Sequence, residues 1–129
     1  YGASGSPEVV AYCFVSKPSF SKIGVYTGNG NSNGPFINCG FKPAWVLIKR
    51  TDSTKNWYIR DIARDPENPM GSALFPDLND AGPSVTAYYM DYLSNGFKPR
   101  VDHSSMNTNG GTYFYMAFAE SPFKTATAR

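Results

Sequence analysis

Charge is scarce in this sequence, and so are the side chains that carry chemistry near neutral pH. Asp, Glu, Lys and Arg make up 17% of its 129 residues and the net charge is +2. Lys49-Arg50 is the only adjacent basic pair, so no basic stripe of the kind phosphate binding needs is present, and nucleic acid is not an expected partner. One histidine and two separated cysteines do not make a usual zinc set. His103 neighbours Ser104 and Ser105, but adjacency in sequence is not a triad and no strand-turn-helix elbow surrounds them. Pairs such as Asp61 and Asp65 occur in any acidic loop. No enzyme, catalytic residue, metal or cofactor is therefore expected. Long apolar runs are missing too: none approaches the roughly twenty residues of a membrane helix, so no membrane insertion is expected. No charged-then-apolar leader opens the chain, and its start reads as a fragment or a processed end.

Aromatics and turn formers take the place of charge. Nine Phe, nine Tyr and two Trp stand beside 12 Gly and 10 Pro, a balance that favours strands joined by tight turns. The length suits one domain with its own core. Cys13 and Cys39 have the option of pairing in an oxidising setting, but each lies in an apolar run, where a free thiol packs as a small hydrophobe; free core thiols are expected.

Strands are predicted at Glu8 to Val15, Phe20 to Thr27, Pro35 to Cys39, Ala44 to Lys49, Asn56 to Ile62, Val85 to Leu93, Phe97 to Val101 and Thr112 to Ala119. Asp52 to Lys55 turns one hairpin, and Ser94-Asn95-Gly96 another, with Asn-Gly supplying positive φ angles. Arg64 to Pro83, rich in Pro, Asn, Asp and Gly, reads as a long surface loop. Its carboxylates, with Asp61 (Asp61, Asp65, Glu67, Asp77, Asp80), offer a cation site as the alternative to simple solvation. Gly28 to Gly34 has asparagines suited to sugar or calcium but no carboxylate, which argues against calcium and for a flexible turn. Seven or eight short strands without helical periodicity predict an all-β, antiparallel, jelly-roll-like sandwich.

The first and last strands resemble each other. Val9 to Pro18 aligns without a gap on Tyr113 to Pro122, placing Phe14 on Phe118 and Pro18 on Pro122, with Phe and Lys following each proline. This suggests a repeat of roughly a hundred residues, the chain holding one module plus the closing strand of a previous one. Residues 1–19 would be that extra strand and residues 20–129 the sandwich. The segments Val10 to Phe14, Phe20 to Gly30, Gly40 to Asp52, Asn56-Trp57, Tyr92 to Lys98, Asn107 to Thr112 and Tyr115 to Lys124 resemble a repeat domain of unassigned function from tail-fibre-like and other virion proteins of environmental tailed bacteriophages. That resemblance implies an extracellular structural component of a virion or surface filament, and carries no catalytic residues with it.

The sharpest functional expectation concerns the first strand. Val9, Ala11, Cys13 and Val15 form one apolar face and Val10, Tyr12 and Phe14 the other, so this strand wants cover on both sides. Donated to a neighbouring copy, it would build a head-to-tail filament, making other copies of the chain the main partner. The alternatives are an intramolecular strand or a disordered arm. A second class of function is glycan binding, with Trp57, Tyr58, Tyr88, Tyr89 and Tyr92 as stacking candidates against cell-surface sugars and Trp45 assigned to the core.

Overall fold

Strands rich in aromatic and β-branched residues pair into two antiparallel sheets. The computed structural model describes residues 7–79 and 88–122. Its strands are β1 (Ser21–Thr27), β2 (Ile37–Asn38), β3 (Pro43–Arg50), β4 (Trp57–Asp61), β5 (Met90–Leu93), β6 (Gly96–Pro99) and β7 (Thr112–Ala119). One sheet has the order β1-β7-β3-β4 and the other β2-β6-β5. The protein is an all-β antiparallel sandwich, as its composition predicts, with no helix among the described residues.

The core is the space between the sheets, filled by alternate residues of each strand. From the four-stranded sheet come Tyr26, Val46, Ile48, Tyr58, Tyr113 and Tyr115; Ile37, Met90, Tyr92 and Phe97 meet them from the other. Tyr26 stacks on Tyr113 with centroids 5.0 Å apart. Buried phenols need partners, and these have them: Tyr26 donates to the Met106 carbonyl (2.7 Å), Tyr113 to that of Ser104 (2.9 Å) and Tyr92 to that of Arg60 (3.0 Å).

Three local expectations change. Leu93 pairs with Gly96, so the β5–β6 loop is Ser94-Asn95, and neither Asn95 nor Gly96 has positive φ. Glycine is required at 96 for space instead: a Cβ there would lie 2.0 Å from the Ile37 carbonyl oxygen on β2. The stretch after Arg64 is not only a surface loop. Met70 and Met90 exchange backbone hydrogen bonds, as do Leu74 and Ile59, so this segment crosses from one sheet to the other and buries Met70, Ala73 and Phe75 on the way. The predicted strand Val85 to Leu93 is described only from residue 88 onward, where β5 occupies its end. Glu8 to Val15 forms no strand; its side chains stand in solvent, Val9 and Tyr12 at 82% and 81% exposure.

The outer face of the four-stranded sheet is unusual for a sandwich, whose outward rows are normally polar. The register lines up Ile23, Met116, Leu47 and Ile59 across it as a middle row. On one side of that row run Phe118, Trp45 and Asp61, and on the other Val25, Phe114, Lys49 and Trp57. Trp45 therefore stands half-buried on this outer face rather than in the core, packed on Phe118 with ring centroids 5.6 Å apart.

Candidate functional site

Sheet margins carry free N–H and C=O groups and invite pairing, so folded proteins cover or shorten them. Here three of the four margins are managed. On β4, Leu74 bonds both backbone groups of Ile59, at 2.9 and 3.0 Å. On β5, Met70 serves Met90, and the Asn68 side-chain amide imitates a strand by bonding the carbonyl (2.7 Å) and the N–H (2.9 Å) of Tyr92. The third, β2, is only two residues long.

The fourth margin, β1, is seven residues long and open over its second half. Ala119 N–H bonds Phe20 carbonyl and Gly28 N–H bonds Gly111 carbonyl, each at 2.9 Å, so the even-numbered residues between them face β7. The groups of Ile23, Val25 and Thr27 therefore point the other way. Those of Ile23 are taken by Ser16; those of Val25 and Thr27 have no hydrogen-bond partner among the described residues. The Val25 side chain is 63% exposed.

The N-terminal segment arrives beside this margin through a tight turn. Pro18 supplies the fixed φ of the first central position of a type II turn, Ser19 takes the positive φ (61°) of the second, and Phe20 N–H closes the turn on the Lys17 carbonyl at 3.0 Å. Lys17 and Ser21 then exchange both backbone bonds, at 3.0 Å each. The next bonded pair of a growing hairpin would be Val15 with Ile23, and two hydroxyls stop it. Ser16 Oγ accepts the Ile23 N–H (2.9 Å) and donates to its carbonyl, while Ser21 Oγ donates to the Val15 carbonyl (2.7 Å). Beyond that block Phe14 lays its ring edge-on to Phe118 at 6.2 Å, beside Phe20 at 6.0 Å. Val9, Val10, Ala11, Tyr12, Cys13 and Val15 are exposed. The structure thus brings an apolar segment without a strand partner next to the open half of the β1 margin.

The remaining predicted residues scatter. Tyr58 and Tyr92 are 2% and 4% exposed and belong to the core, so neither presents a face to a sugar. Their inward turn follows from strand parity: Tyr58 packs on Phe75 and Tyr88, and Tyr92 reaches Arg60. Trp57 is exposed at the start of β4, Tyr88 and Tyr89 are half-buried, and no single stacking surface gathers all five. Cys13 is exposed and Cys39 buried, both free, which corrects the expectation of two core thiols. A cleft of about 460 Å³ opens between the Lys17 to Ser19 turn and Cys39-Gly40. Burial pushes the Cys39 thiol up to about 12, nearby Lys22 only partly opposing it, so it is no nucleophile there.

The loops weighed as ligand sites are built for packing. Asn107, fully buried, has its amide oxygen on Asn29 N–H (2.8 Å) and directs its NH₂ at Asn29 Oδ1, the Asn31 carbonyl and the Val101 carbonyl. The Gly28 to Gly34 loop is thereby tied down rather than loose. Asp65 receives the N–H groups of Gly71 and Ser72, Asp61 that of Ala63 and Asp77 that of Trp57, while Asp80 lies outside the described residues. Among the described residues no three His, Cys, Asp or Glu side chains gather. Burial lowers the His103 pKa, and its Nδ1 accepts the Ser105 N–H at 3.3 Å. Sequence reasoning missed the β1 margin. Its only signal was Lys22 and Gly24 interrupting the apolar pattern of an otherwise strand-like run, as befits a sheet border.

Fold and margin together define a small β-sandwich module with one open edge and an apolar arm beside it. The chain belongs to the family described as "Domain of unknown function (DUF7483)", which matches residues 2–122. Comparison with curated proteins and with solved structures finds no match.

Proposed function

We propose that this protein is a non-enzymatic structural module of an extracellular fibre, or of a phage tail fibre or virion appendage, in which the Glu8 to Val15 arm of one copy adds to β1 of the next. One juxtaposition supports the reading: an apolar arm without a strand partner lies beside a sheet margin whose Val25 and Thr27 backbone groups have none among the described residues. The arm resembles β7, yet β7 already fills the centre of its own sheet between β1 and β3. The incoming strand therefore adds at the border instead of filling a slot. Its alternating faces then extend both the sandwich core and the outer apolar face. Repeated head to tail, the contact does not close and yields a filament.

Val25→Pro tests this. The substitution deletes an N–H that faces away from β7, where proline is tolerated, so the sandwich should still melt cooperatively. Negative-stain microscopy and size-exclusion chromatography should show filaments from the unaltered chain and none from the variant. A folded variant that still forms filaments would refute strand addition at β1. A second reading, glycan recognition, rests on the exposed Trp57 ring beside Asp77; saturable binding on a glycan array, lost in Trp57→Ala, would favour it instead.

A further inference from the structure

We propose that the outer face of the four-stranded sheet is a self-complementary interface that seats a second copy of this chain across a two-fold axis. The contact is separate from strand addition at β1. The face presents three rows, the middle one wholly apolar, one flanking row carrying Asp61 on β4 and the other Lys49 on β3.

Identical faces apposed across an axis running perpendicular to the strands keep each strand over its twin and exchange the outer rows. Middle row then meets middle row, apolar on apolar. Lys49 comes over Trp45 of the second copy and Asp61 over its Trp57, so no like charges meet within the three rows, while Asp77 beside Trp57 is engaged by the Trp57 backbone N–H. A lysine over an indole is itself favourable, and Lys49 already sits 5.8 Å from the Trp57 ring within one copy. A shallow recess of about 340 Å³ between Leu47, Trp57, Pro76 and Asp77 gives the face relief to receive a side chain from the facing copy.

The area sets the strength. Four strands about 4.8 Å apart and a ladder about 24 Å long give about 450 Å² per copy, or on the order of 1,000 Å² in total, the lower limit of specific interfaces. A dimer with micromolar affinity is the expectation.

The test is sedimentation velocity on the full chain carrying Val10→Asp and Tyr12→Asp, which disables strand donation and leaves the face untouched. From low micromolar to near-millimolar concentration this chain should pass from monomer to dimer, and adding Met116→Lys should weaken the dimer at least tenfold while the melting transition persists. If that variant fails to fold, Leu47→Gln at the recess takes its place. A chain that stays monomeric throughout, or a dimer indifferent to both substitutions, overturns the interface. Filaments from the unaltered chain without dimers in the arm variant would sink the face alone; dimers without filaments would sink strand donation alone.

Discussion

A charged side chain sits where the core should be oil. Arg60 has no solvent exposure; one of its terminal nitrogens donates to the Tyr88 carbonyl, and Nε and the other terminal nitrogen have no hydrogen-bond partner among the described residues. Burial pulls its pKa down from 12.5 to about 10, with Tyr92 and Asp65 only partly restoring it. A guanidinium held this way opposes folding, since desolvation exceeds what one hydrogen bond returns. Arg60→Met should therefore stabilise the protein, by about 1–2 kcal/mol, read as a higher urea midpoint at unchanged slope. A loss of stability would mean that Arg60 holds a partner the sandwich needs. The same residue explains an error of sequence reading. In Trp57-Tyr58-Ile59-Arg60-Asp61, the arginine marks the Tyr58 face as the solvent side by hydropathy, whereas both residues point inward and the apolar Ile59 points out.

Strands were legible wherever a partner exists inside the chain. Thr112 to Ala119 is apolar on both faces and is an inner strand, its one face in the core and its other forming part of the apolar outer face. Glu8 to Val15 is likewise apolar on both faces, and its pattern predicts the same structure. Extended backbone becomes a strand only when its N–H and C=O groups find a ladder, and the Ser16 and Ser21 hydroxyls withhold that ladder locally. The cost of truncating Phe14 changes accordingly. A buried phenylalanine would lose about 3 to 5 kcal/mol on Phe14→Ala. At 56% exposure, with one edge contact to Phe118, it should lose less than about 1 kcal/mol from the isolated chain. Filament formation should suffer far more than the melting temperature, and equal losses in both would place Phe14 in the monomer's core.

Across the whole molecule, the sandwich was legible because strand spacing and turn chemistry report fold class. The crossing of residues 70–75 between sheets was not, because its two bridges are single pairs in a polar stretch. The dense tyrosine core has a collective consequence for pH. Burial raises Tyr26 and Tyr92 well above 10, Tyr58 to about 12 and Tyr115 less strongly, and Cys39 from 9.0 to about 12. Each of these groups holds its proton longer folded than unfolded, so its stabilising contribution is complete below about pH 9–10 and is lost as pH rises toward 12. Arg60 alone runs the other way over that window. Cooperative alkaline unfolding is expected, with the phenolate absorbance and the loss of circular dichroism rising together. Phenolate appearing in a still-folded chain would contradict it. One last feature is geometric. The start of β1 and the end of β7 are antiparallel neighbours, joined where Ala119 N–H bonds the Phe20 carbonyl. A tensile load applied between those two ends meets the ladder one rung at a time, like a zipper, and never in shear along its length. Any strand built from these units must route its tension through contacts between copies, because the polypeptide's own path across the domain is its softest line.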